Sequence, residues 1–112
     1  MKLCDLHSGL LQSHVSLERL TLIPDGIGGG QSVWAEIGTP WAYIIPATAW
    51  ESLNSMQLES PITHTFYIRY RDDITPRDRF TFRGRLFNIR SIIDIEEQKL
   101  YMELKCQEGV AV

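Results

Sequence analysis

The side chains best suited to hold a metal in this sequence are Cys4, His7, His14, His64 and Cys106. Cys4 and His7 have a C-x-x-H spacing, but a tetrahedral zinc site needs four ligands at matched spacing. The other three are scattered along the chain, so no metal is expected. Nucleophilic chemistry lacks a signature as well, because no G-x-S-x-G, H-E-x-x-H or C-x-x-C motif is present. Two carboxylate pairs, Asp72-Asp73 and Glu96-Glu97, are sequence neighbours in expected turns. Adjacent residues of an extended chain point to opposite sides, which favours solvation over a catalytic dyad. Gly28-Gly29-Gly30 is not followed by Gly-Lys-Ser/Thr and does not open a helix, so it is read as a hairpin tip and not a phosphate cradle. The expectation is a protein that is not an enzyme and needs no cofactor.

Charge gives a second kind of candidate. The 112 residues carry a formal net charge of −3, which does not draw the whole molecule to nucleic acid. Yet seven of the eleven basic residues fall in one stretch: Arg69, Arg71, Arg77, Arg79, Arg83, Arg85 and Arg90. Only Asp72, Asp73 and Asp78 accompany them there. This stretch is either a solvated strand-and-turn surface or a surface facing phosphate or an acidic partner.

These residues must be positioned by strands. From residue 62 onward, Ile62, His64, Phe66, Ile68 and Tyr70 alternate with Thr63, Thr65, Tyr67, Arg69 and Arg71, a period-2 pattern with one largely apolar face. His64 on that face is read as a core or half-buried histidine. Thr75-Pro76-Arg77-Asp78 reads as a turn, and Arg83-Gly84 as a two-residue hairpin connection. A long strand over 86–93 and a turn at Glu96-Glu97-Gln98 follow. The last strand places Leu100, Met102, Leu104 and Cys106 inward. Upstream, residues 15–23 read as a strand whose apolar parity changes between Val15/Leu17 and Leu20/Leu22, which predicts a bulge near Glu18-Arg19. Asp25, Gly26, Gly28, Gly29 and Gly30 form an expected flexible assembly loop. Strands are expected over 33–37 and 41–45. Thr48-Ala49-Trp50-Glu51 fits a capping box opening a short helix with Trp50, Leu53 and Met56 on one stripe, closed by Pro61. So short a helix needs a neighbour to hold it.

The fold expectation is mainly β: a small antiparallel barrel or sandwich of about six strands, with one short helix and long flexible loops, forming a single domain over 1–112. Residues 1–12 are expected to be a docking arm or short helix. Two cysteines without a signal peptide read as reduced thiols, and no run approaches the roughly 18 apolar residues of a membrane span. A soluble, non-exported chain without membrane contact is expected.

Read together, these stretches resemble the tailed-phage head–tail joining family, the small head-closure or stopper proteins. The strongest part is the run from Thr63-His64-Thr65-Phe66-Tyr67 through Ile68-Arg69-Tyr70-Arg71 into Asp72-Asp73-Ile74-Thr75-Pro76. Arg79-Phe80, Gly84-Arg85, Phe87-Asn88-Ile89, Ile92-Ile93-Asp94 and the closing strand continue it. Upstream, Gly9-Leu10, Trp34, Trp41-Ala42 and Pro46 also fit. The chain departs from the family pattern at Ser13-His14-Val15, where a basic residue is usual, and in the apolar richness of 41–50.

The resemblance implies a virion protein, made in the host cytoplasm, whose subunits form a ring of twelve at the head–tail connector. The portal and adaptor would lie above it, the tail terminator or tail tube below, and packaged double-stranded DNA in the channel. It further implies that the segment carrying Ala47, Trp50, Glu51, Leu53, Met56 and Pro61 lines the channel or the subunit interface. Arg69, Arg71, Arg83 and Arg85 are the candidate residues facing DNA or a partner. Two alternatives stand beside this reading. One is a tail terminator or completion protein. The other is a small OB- or SH3-like nucleic-acid-binding barrel, in which Tyr67, Phe87 or Tyr101 would stack on bases.

Overall fold

The computed structural model describes residues 6–24, 26–47 and 62–109. Eight antiparallel strands account for most of them: β1 (Ser13–His14), β2 (Ser16–Pro24), β3 (Gly30–Gly38), β4 (Trp41–Pro46), β5 (His64–Arg69), β6 (Arg79–Phe82), β7 (Arg85–Asp94) and β8 (Tyr101–Glu108). They hydrogen-bond in the order β1-β4-β5-β8-β7-β6-β2-β3. β1 and β2 are one extended stretch interrupted only at Val15. Its beginning pairs with β4 (Ser13 opposite Ala42) and its next residues pair with β6 (Leu17 opposite Phe80). The sheet therefore curls round until this single strand bridges its two sides, which removes most of the exposed edge of an open sheet.

The same stretch continues out of the barrel. Only Ser16, Leu17 and Glu18 pair with β6, whereas β2 and β3 pair from Leu17–Gly38 out to Pro24–Gly30. The outer part is a two-stranded arm, and the molecule measures 52 × 31 × 27 Å. The arm corrects the reading of the parity change. A register shift does occur, between Leu17 and Glu18, one residue before the expected place. However, Leu20 and Leu22 do not rejoin the core; they are exposed because the strand has left the barrel by then. Gly26 and Gly28 take positive φ at the tip, as a tight reversal requires.

Inside the barrel, three phenylalanines from three strands meet. Phe66 on β5 stacks on Phe80 of β6 at 4.7 Å and meets Phe87 of β7 edge-on at 4.9 Å. Val15, Leu17, Ile68, Ile89, Leu104 and Cys106 close around them, all essentially without solvent contact. Removing one such ring costs about 3–5 kcal/mol in typical cores.

Two sequence expectations fail at the barrel wall. β5 is not apolar on one face only: Thr65 and Tyr67 are buried along with Phe66 and Ile68. Its outer face is covered because Leu6 packs with Tyr67 and Ile95, flanked by Leu10, Tyr43, Ile45 and Tyr101. The N-terminal segment thus docks on its own barrel, through a 3-10 turn at Ser8–Leu10 and not an α-helix. Leu100, expected inward, is 56% exposed, because β8 begins only at Tyr101. The expected helix lies outside the described residues, and eight strands stand among the described residues where six or so were expected.

Candidate assembly surfaces

The barrel has two differently built ends. At one end the arm leaves, and the strand register places Arg69 and Arg71 with the β7–β8 turn there, since Arg69 pairs with Tyr101. At the other end lie the Arg83-Gly84 turn, His64 and Glu108. Both turn residues have positive φ (52° and 76°), and Phe82 pairs with Arg85, as the sequence predicts for a two-residue hairpin.

The four arginines proposed as a basic surface are therefore not one patch. Arg71 makes a two-point contact with Asp73, from Nε at 2.9 Å and Nη2 at 2.8 Å. Arg85 does the same with Glu108, at 2.6 and 2.7 Å. These hydrogen bonds hold the Asp73 and Glu108 carboxyls below their ordinary values. Arg71 and Arg85 are thus internally neutralised, on opposite ends of the barrel. Arg69 is exposed beside Trp41, and Arg83 lies over the Phe82 ring at 4.9 Å. Of the loop residues, Gly26, Gly28 and Gly29 sit at the arm's tip and Gly30 opens β3; Asp25 lies outside the described residues. Of the channel-segment residues, only Ala47 is described; its N–H donates to the Thr63 carbonyl at 2.8 Å. Ala47 and Thr63, on either side of segment 48–61, therefore lie at the Arg83 end. Trp50, Glu51, Leu53, Met56 and Pro61 lie outside the described residues.

Sequence reasoning missed how firmly the arm is fixed to the barrel. Arg19 of β2 donates to both oxygens of the buried Asp78, at 3.1 Å each, and from Nη2 to the Asp73 carbonyl. Asp78 also accepts the Thr75 N–H at 2.9 Å. Arg79 of β6 donates to Glu18 at 2.8 Å and stacks on Trp34 of β3 at 4.0 Å. Arg71 donates to the Ile37 carbonyl at 3.4 Å and lies against Gly38, where a Cβ would collide with its guanidinium. Three arginines thus brace the arm's root. The signal was present only as residue types, since each bond joins residues far apart in sequence.

Beside that root, a cleft of about 690 Å³ opens between β2 and β7, lined among others by Leu20, Trp34, Pro76, Arg77 and Arg90. Exposed apolar side chains crowd the arm: Leu22 is 67% exposed, Ile23 53% and Ile27 87%. Among the described residues no group of His, Cys, Asp and Glu could hold a metal ion, and no helix is long and apolar enough to cross a membrane.

The family model of the phage head completion protein matches residues 6–109. The chain belongs to that family. It is thus a phage virion component, which accords with the resemblance carried by the strand run from Thr63 onward. A solved structure of protein SF1141 from Shigella flexneri 2a superposes with a TM-score of 0.77 at 25% identity, covering 93% of this chain and 97% of that one. A chain from the virion of a native gene transfer agent particle has the same fold, with a TM-score of 0.59 at 21% identity, covering 88% of this chain and 94% of that one. A search of curated proteins returns no match.

The base-stacking alternative loses two of its three residues, while Tyr101 is half-buried against the Leu6–Tyr67–Ile95 cluster. Phe87 has no exposed surface and Tyr67 only 5%, so neither can present a ring face to a base.

Proposed function

We propose that this head completion protein forms a ring at the head–tail connector, where it closes the DNA-filled head and offers the tail its docking surface. The observation that carries this reading is the polarity of the barrel. One end bears a braced, apolar arm, and the other bears Ala47 and Thr63, which flank segment 48–61 and hydrogen-bond to each other. A connector ring needs two such unlike faces, one for the portal and adaptor and one for the tail terminator or tail tube. A twelve-fold ring with the segment carrying Trp50, Leu53 and Met56 toward the channel is the arrangement we favour.

The role is mechanical and electrostatic, and not catalytic. Contact with packaged DNA falls to Arg69 and Arg83, which no carboxylate neutralises among the described residues. Such contact is independent of sequence and weakens with salt through counterion release.

Electron microscopy of particles made without this chain tests the proposal. Filled or leaking heads beside separate, complete tails are expected. Heads joined to abnormally long tails would show a tail terminator instead.

A further inference from the structure

The cleft beside the arm is basic. Arg19 is matched to Asp78, but Arg77 has no carboxylate partner among the described residues, and Arg90 is held only by the neutral Gln107 amide at 3.1 and 2.9 Å. Its apolar walls are Leu20, Trp34 and Pro76. It exists because β6 begins at Arg79, so β7 beyond Ile89 and β2 beyond Glu18 have no strand between them. Unpaired strand edges of this kind invite another chain.

The β7–β8 turn is its counterpart in charge. Glu96, Glu97 and Lys99 all take positive φ (53°, 54° and 57°) without being glycine. Such conformations are costly and collect at functional surfaces. Glu97 stands in an exposed turn flanked by Ile93 and Leu100, which are 48% and 56% exposed. Ile93 and Leu100 match the apolar walls of the cleft, as Glu97 matches its arginines.

We infer that the β7–β8 turn of one subunit seats in the β2–β7 cleft of the next copy of this chain, with Glu97 facing Arg77. The turn cannot fill its own cleft, because Asp94 already stands four residues, about 13 Å, beyond Arg90 along a rigid strand. Both features lie at the arm end of the barrel, and with strands tilted against the ring axis, as barrel strands are, the turn of one subunit meets the cleft of the next. The surfaces differ, so the contact is heterologous and propagates around a ring. This inference rests on the ring proposed above and names its subunit contact.

The test uses assembled particles carrying Arg77→Cys and Glu97→Cys together in a Cys4→Ser background. Mild oxidation followed by denaturing electrophoresis is expected to give a ladder of cross-linked chains; either single variant is expected to give none. Particle titre supplies a second readout. Arg77→Glu and Glu97→Arg are each expected to lower it tenfold or more, and the two together to restore it, with an unchanged melting temperature of the isolated chain in every case. Electron microscopy of the same particles separates the two readings. A ring without cross-links, or a charge reversal that is not rescued, overturns this contact and leaves the ring standing. Particles without a ring overturn both.

Discussion

Arg19 on the protruding arm and Asp78 at the mouth of the barrel form a two-point ion pair in which the carboxylate is shielded and the guanidinium is partly exposed. The pair ties β2 to the Thr75–Asp78 turn, where Asp78 also receives the Thr75 N–H. The arm is thereby a fixed extension of the barrel, able to present its apolar tip in one direction.

Replacing Asp78 by alanine leaves the Thr75 N–H and the Arg19 guanidinium without their acceptor. A loss of about 1–3 kcal/mol is expected, with faster hydrogen exchange through the arm. Chemical denaturation of Asp78→Ala and Asp78→Asn measures the first effect. Wild-type stability in both variants would show that the pair does not brace the arm.

Stability should fall in two steps as the pH is lowered. Burial holds the His64 imidazole below its ordinary 6.5, although Glu108, 3.9 Å away, acts in the opposite sense. The unfolded chain then takes up a proton at residue 64 before the folded one does. Stability from this site is complete above pH 6.5 and declines as pH falls below it. Glu108 and Asp73 are held below their ordinary 4.5 and 3.8 by Arg85 and Arg71, so their contribution is complete above those values and is lost on further acidification. Urea midpoints across this range should show both declines, and His64→Phe should abolish only the first. A wild-type midpoint constant through pH 6.5 would contradict the burial of His64.

Cys106 should be chemically silent in the folded protein. It is fully buried, and desolvation pushes its thiol far above the ordinary value. In a Cys4→Ser background, labelling by a thiol reagent is expected to follow the unfolding rate and to accelerate in denaturant. Labelling at the rate of a free thiol would place Cys106 at the surface.

Much of the barrel was legible because its strands are half-buried and alternate. Met102, Leu104 and Cys106 announce β8, and Arg83-Gly84 announces the turn before β7. Leu20 and Leu22 misled for a physical reason. Apolar alternation does not by itself tell a barrel interior from the exposed face of a protruding arm, where Leu20 and Leu22 stand. β5 misled in the opposite sense, since Tyr67 is covered by a segment some sixty residues earlier, around Leu6. The arginine cluster was visible as composition, but its division between two ends follows from strand direction, which alternation does not encode. The strained β7–β8 turn was read as a simple connection because Glu96, Glu97 and Lys99 are not residues that usually signal positive φ.

The central claim is that this chain forms a ring at the connector. High-resolution electron microscopy of intact particles tests it most directly. A ring of β-barrels between the portal–adaptor complex and the tail, each carrying the braced arm at one end, is the predicted result. Density for this chain at the distal tail tip, or as isolated copies outside any ring, would contradict it.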